Sequence, residues 1–144
     1  MKELILILED DPIDLIGLKK AIQTLPKQFD FKYLSCYRDA YAFLSTRKAN
    51  YIVTDYYLGD GEGLKLIQDF PEIPTMLITG TGNIELAIKA LNAGAEEVLE
   101  KDVQGYYLKL LPLYILRMVK NHHNNIEHRR LIRQNKILRA VGNI

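Results

Sequence analysis

The chain has a single cysteine, Cys36, so no internal disulfide is open to it, and a reducing compartment is the default expectation. It has no apolar run of membrane-spanning length. After Met1-Lys2-Glu3 only five apolar residues precede Glu9, too few for the core of a secretory signal, so a cytoplasmic location and no membrane partner are expected. Internal repeats and low-complexity segments are absent as well. Residues 113–140 contain neither proline nor glycine, and acids are scarce over the same stretch. Residues 117–144 hold 7 Lys and Arg against 1 acid, net +6, while residues 1–116 hold 12 against 17, net −5. Body and tail therefore read as different objects, even though the formal charge of the whole is only +1.

What is present is enough apolar material for one packed domain with an appendage: 144 residues, 48% hydrophobic and 26% charged. Residues 4–8 are an unbroken apolar run, the pattern of a strand buried on both faces. Asp11-Pro12-Ile13-Asp14 reads as a helix start, with an Asp cap, Pro at the first helical position and an acid in the first turn; that helix is expected to reach Leu25, before Pro26. Further strands are expected over residues 31–36, 51–55, 74–79 and 97–100. Helices are expected over residues 38–46, 64–70 and 84–93, the last closed by Gly94. Five strands alternating with helices call for right-handed crossovers, hence a parallel sheet with helices on both faces: an α/β/α three-layer sandwich.

In such a sheet the polar residues that follow each strand gather on one edge. Glu9 and Asp10 follow the first strand, Asp55 ends the third, Thr79 ends the fourth and Lys101 follows the fifth. Three carboxylates in a partly dry site repel one another and need a cation or raised pKa values. A hard divalent ion held by oxygens meets that need, and Mg²⁺ fits best because it keeps several waters and takes one or two carboxylates. Taken singly, Thr79 reads as a packed strand end, Lys101 as a surface lysine and Asp11 as a helix cap; the constellation is what carries weight. Gly80-Thr81-Gly82 lacks the third glycine of a nucleotide-binding loop and follows the wrong strand. His122, His123 and His128 lie in a polar helical tract and read as solvated side chains, not metal ligands.

Leu8-Glu9-Asp10-Asp11-Pro12, the strand-end Asp55, Gly63, Ile78-Thr79-Gly80, Gly94-Ala95 and Lys101, in that order, resemble the receiver domain of the response regulators of bacterial two-component signalling, over residues 3–117. The resemblance implies a flavodoxin-like fold with strand order 2-1-3-4-5. It implies phosphorylation of Asp55 to an aspartyl phosphate, with Mg²⁺ held by Asp10, Asp55, the backbone carbonyl of Tyr57 and, through water, Glu9. Thr79, Gly80 and Lys101 would bind the phosphoryl group. The implied donor is a histidine kinase or phosphotransfer protein. The domain is then no enzyme in its own right, although it assists its own phosphorylation and dephosphorylation, and a full-length hybrid protein could be a histidine kinase.

Three positions depart from the family pattern. Val98 stands where the fifth strand usually carries an aromatic switch residue, Gly59 where proline is frequent, and Asp102 where a proline usually follows the lysine. The loss at Val98 keeps a second reading open, a pseudo-receiver that serves as a constitutive protein-interaction module. Residues 118–144 are expected to form a helical extension beyond the receiver body of residues 1–117. The fifth helix starts near residues 102–104, with Pro112 tolerated only near its first turns. Ile115, Ile126 and Ile137 recur every eleven residues, a spacing suited to a nearly straight coiled coil and to a homodimer through this helix. The resemblance here is to receivers joined by a helix to a sensory or histidine-kinase module, with Ile144 then falling inside a longer protein. A nucleic-acid partner is not expected for this chain, because no recognition-helix module follows and a coiled coil needs solvated charged faces anyway.

Overall fold

The apolar run at residues 4–8 lies in β1 (Glu3–Leu8), and its alternation sorts it between two cores. Ile5 and Ile7 point to one face and Leu6 and Leu8 to the other, all at most 1% exposed. Full burial of such a side chain stabilises the fold by about 1.5–3 kcal/mol, so this strand anchors both layers. The computed structural model describes residues 2–142. After β1 come α1 (Pro12–Ile22), β2 (Phe29–Leu34), α2 (Tyr37–Thr46), β3 (Tyr51–Asp55), β4 (Tyr57–Leu58), β5 (Gly61–Glu62), α3 (Leu64–Asp69), β6 (Thr75–Thr79), α4 (Ile84–Asn92), β7 (Glu97–Glu100) and α5 (Tyr107–Gly142).

The main sheet runs β2-β1-β3-β6-β7, all parallel, while β4 and β5 form a small antiparallel ribbon of their own. Counting main-sheet strands alone, this is the order 2-1-3-4-5. Helices α1 and α5 cover one face, where Leu18 and Ile22 meet Leu111, Ile115 and Met118 over β1, β3 and β6. Helices α2, α3 and α4 cover the other. The three-layer sandwich expected from the strand and helix spacing is the fold observed, with the flavodoxin-like strand order that the resemblance implies.

Local differences from the expected elements have identifiable causes. β2 lies two residues earlier than expected, because Glu3 pairs with Phe29 and Leu8 with Leu34, and Phe29 is buried. Cys36 is thereby freed from the strand and becomes the N-cap of α2, its sulfur accepting from the Asp39 N–H at 3.4 Å. Asp11 caps α1 as expected, but α1 ends at Ile22, and residues 23–25 form a turn before Pro26. α5 begins at Tyr107, not near residue 102. Asp102 stays outside and its carboxylate accepts from the N–H groups of Tyr106 and Tyr107 at 3.0 and 2.8 Å, with Gly105 at φ +78 completing the turn. The acid found where proline is usual is thus the cap of the last helix. Pro112 sits in the second turn of α5.

α5 is one unbroken helix of 36 residues. Its buried side, Tyr107, Leu111, Ile115, Met118 and Val119, belongs to the body. Ile115 is 0% exposed, so the expected eleven-residue line that begins with it is not a free seam. His122 and His123 also remain attached to the body. His123 Nε2 lies 3.1 Å from the Tyr51 hydroxyl and 3.2 Å from Glu3 Oε2, and His122 meets the Tyr51 ring edge-on at 5.7 Å. At the level of β7, Arg117 makes a two-pronged ion pair with Glu97. Residues 124–142 are exposed along their whole length.

Candidate functional site

Parallel pairing lines up the strand ends. Leu8 pairs with Thr54, Asp55 with Ile78 and Thr79 with Glu100, so Glu9, Asp55, Thr79 and Lys101 arrive at one edge within a residue of each other. Carboxylate oxygens of Glu9, Asp10 and Asp55 all lie within 4.8 Å of one another. Glu9 and Asp55 are buried and Asp10 faces solvent. A set of oxygen donors this close, open on one side, has the chemistry of a site for a hard divalent cation.

Lys101 reaches into the cluster from the end of β7. Its Nζ lies 2.9 Å from Glu9 Oε1, 3.1 Å from Asp55 Oδ1 and 2.8 Å from Asp14 Oδ2. Burial opposes its charge, but hydrogen bonds to Asp14 and Glu9 and the charge of Asp55 outweigh it and hold the ammonium well above the ordinary lysine range. Burial raises Glu9 as well, yet its bonds to Asp55 and Lys101 bring it below the ordinary glutamate value. Asp55 is pushed up to about 8, first by burial and then by its contact with Glu9, with Lys101 pulling the other way. Without a cation, Glu9 and Asp55 therefore share one proton near neutral pH. Both Glu9 oxygens are already engaged, one with Lys101 and the other with the Asp11 N–H at 3.3 Å.

Beside Asp55 lies a cleft of about 120 Å³ lined by Tyr56, Tyr57, Ile78, Gly80 and Lys101. A Cβ built on Gly80 would meet nothing within 4 Å, so this wall of the cleft is open. Thr79 is 2% exposed at the end of β6, whose carbonyl accepts from the Lys101 N–H at 2.8 Å. The next loop is tied to the lysine strand, with the Thr81 hydroxyl donating to the Lys101 carbonyl at 2.6 Å. Val98 packs against a buried cluster of Tyr56, Leu64, Ile67, Leu77, Ala90 and Ala95, so the aromatic ring in that layer comes from the residue after Asp55 and not from β7. Among the described residues, the buried Tyr56 hydroxyl has no hydrogen-bond partner.

The loop after Asp55 is firmly held, even with Gly59 where proline is frequent. It folds as the β4–β5 ribbon, and Asp60 at its tip accepts from the Tyr37 and Arg38 N–H groups at 2.8 and 2.9 Å, which fixes the start of α2. Gly63 closes the ribbon by donating its N–H to the Tyr56 carbonyl at 2.7 Å. A Cβ there would fall 2.2 Å from the Asp55 carbonyl oxygen, so only glycine allows this approach. Asp14 and Asp60 are the contributors that sequence reasoning left without a role. Asp14 was visible only as a first-turn acid, and nothing local marks its pairing with Lys101, 87 residues away.

Comparison with known proteins agrees with this geometry. The family model for the response regulator receiver domain matches residues 5–110. The chain is 33% identical over 103 residues to the nitrogen assimilation regulatory protein NtrX of Azorhizobium caulinodans, covering 67% of this chain and 22% of that protein. It is 29% identical to the C4-dicarboxylate transport transcriptional regulatory protein DctD of Rhizobium meliloti, covering 72% of this chain and 21% of that one. It thus spans about a fifth of the length of these relatives. Among solved structures, the signal receiver domain of an HD domain-containing protein from Pseudomonas fluorescens Pf-5 superimposes with a TM-score of 0.72 at 21% identity, covering 88% of this chain and 93% of that one. The signal receiver domain of a LuxO-type repressor from Vibrio parahaemolyticus gives 0.67 at 26% identity, covering 85% and 96%. Among the described residues, no helix is long and apolar enough to cross a membrane.

Proposed function

The chain belongs to the response regulator receiver family of two-component signalling, and from that premise we propose that it accepts one phosphoryl group on Asp55 in a reaction that requires Mg²⁺. The observation that carries the reading is the convergence of one lysine ammonium and three carboxylates on a cleft with an open glycine wall. Asp10, Asp55 and the Tyr57 carbonyl would hold the ion directly. Glu9, with both oxygens already taken by protein donors, would hold it through water. Bound there, Mg²⁺ supplies positive charge against the transferring oxygens.

The rest of the chemistry belongs to the chain. The Asp55 carboxylate attacks the phosphorus of a phosphohistidine or an acyl phosphate, the new O–P bond forms, and the bond to the leaving imidazole or carboxylate breaks with its electron pair. Lys101 neutralises one phosphoryl oxygen; the Thr79 hydroxyl and the N–H groups of the Gly80 loop bind the others. The donor is a histidine kinase or phosphotransfer protein. Movement on phosphorylation runs through residues 79–83 and α4, where Gly82 sits at φ +73 and no aromatic on β7 takes part. The complete set of site residues favours this over the pseudo-receiver reading. Intact mass after incubation with acetyl phosphate and Mg²⁺ is the test: a gain of one phosphoryl group in the wild type and none in Asp55→Asn.

The free segment of α5 supports self-association as well, on a different line from the one read in the sequence. Leu131, Leu138 and Val141 are between 47% and 67% exposed and fall at a, a and d positions of one heptad frame, whose other positions in this segment are the polar Asn124, Glu127 and Gln134. A receiver body over residues 1–117 and a helical extension over residues 118–144 remain part of the proposal, although Asn125, Ile126 and Arg129 of the extension still line a cleft with Pro71, Pro74, Gly94 and Glu96 of the body.

A further inference from the structure

An ammonium has three N–H bonds, and that of Lys101 is fully committed, one to each of Glu9, Asp14 and Asp55. Glu9 and Asp55 belong to the carboxylate cluster with Asp10; Asp14 does not. It projects from the first turn of α1, whose start is fixed independently by the Asp11 cap and Pro12, so its carboxylate is placed by the helix and not by the strand ends. A phosphoryl group arriving on Asp55 adds oxygens that need a donor from a lysine with none to spare.

The three partners are unequal in their ability to give way. The Glu9 side chain is 0% exposed, so losing the ammonium would leave its carboxylate buried without that partner. The Asp14 side chain is 35% exposed, so water can take over its half of the bond. We infer that Asp14 is a positioning residue that draws the Lys101 ammonium toward α1 and thereby restrains phosphorylation of Asp55, the Asp14–Lys101 bond being the one that loosens when a phosphoryl group is bound. The inference rests on the reading of Asp55 as phosphoacceptor. It assigns α1 a direct part in the chemistry of the strand ends, exercised through Lys101.

The rate of phosphorylation by acetyl phosphate at saturating Mg²⁺ tests it. Removing a partly exposed ion-pair partner is expected to speed transfer by about two- to fivefold, in Asp14→Asn and at least as much in Asp14→Ala. Asp14→Glu, which restores a carboxylate, returns the rate toward wild type. Asp11→Asn is the control for plain charge, since it removes one negative charge at the same helix start, keeps a capping side chain and does not touch Lys101; its rate stays at the wild-type level. Thermal melting verifies that each variant is folded, and the isosteric Asn variant carries the test should Ala fail to fold. Asp14 variants no faster than wild type, or an equal acceleration in Asp11→Asn, overturn the inference. A wild type that takes up no phosphoryl group at all instead sinks the assignment of Asp55.

Discussion

Asp55 has a proton to lose before it can react, and that proton links the site to stability. In the folded protein without a divalent ion its pKa is about 8, whereas the unfolded chain releases the proton near 3.8. The folded state thus binds more protons than the unfolded one between these values, so stability falls as pH rises through the window and levels off above it. Asp55→Asn has no such proton. Urea unfolding in EDTA is expected to show its stability advantage over wild type widening by on the order of 2 kcal/mol between about pH 5 and 7. Added Mg²⁺ should narrow the gap, and a gap constant with pH would contradict the site electrostatics. Glu9, Asp10, Asp55, Thr79 and Lys101 were legible in the sequence because each ends or directly follows an apolar run, and parallel topology does the rest. Asp14, Asp60 and Asp102 were not legible in their roles. Each is an acid in a polar stretch, and the partners of Asp14 and Asp60 lie 87 and 23 residues away, where local pattern has no reach.

At the scale of elements, the β4–β5 ribbon connects the phosphoacceptor strand to two helices at once. Asp60 caps α2 from the ribbon tip, and Gly63 packs its backbone onto Asp55 at the ribbon base. Gly63→Ala puts a methyl carbon into the Asp55 carbonyl oxygen, a backbone atom that cannot swing aside, so a destabilisation of about 1–3 kcal/mol or more is expected. Denaturant unfolding measures it, and a neutral substitution would show that the ribbon is not seated as described. The order and type of the main elements were legible from hydrophobic period, with β7 matching residue for residue. The ribbon was not, since two-residue strands carry no period. The apolar run that ends in Tyr33-Leu34 and Cys36 suggests a strand two residues later than β2 lies, whereas pairing with β1 fixes the register from Phe29 onward. The start of α5 is hard to locate from local pattern because the carboxylate of Asp102 caps the helix from several residues upstream of it.

For the molecule as a whole, the long helix decides how far the body extends. Its continuity was legible in the lack of proline and glycine over residues 113–140, but the free face was not, because Ile115 and Ile126 look alike until the body claims the first. With Val119 buried, His123 joined to Tyr51 and Glu3, and Asn125, Ile126 and Arg129 lining a cleft with residues 71–74, a truncation that leaves the body intact should come after residue 130. Sedimentation of the full chain against that truncation is expected to give a dimer and a monomer, with Leu131→Lys and Leu138→Lys also monomeric. The net +6 of residues 117–144 repels across any such pairing, so added salt should tighten the dimer. Full-length chains that stay monomeric at high concentration and high salt would remove the dimer. The central claim concerns the other end of the sheet, where Glu9, Asp10, Asp55, Thr79 and Lys101 converge. Intact mass after incubation with acetyl phosphate, with and without Mg²⁺, tests it most directly. The expected result is one added phosphoryl group in the wild type, only with the ion present, and none in Asp55→Asn; no gain in the wild type, or an equal gain in Asp55→Asn, would contradict it.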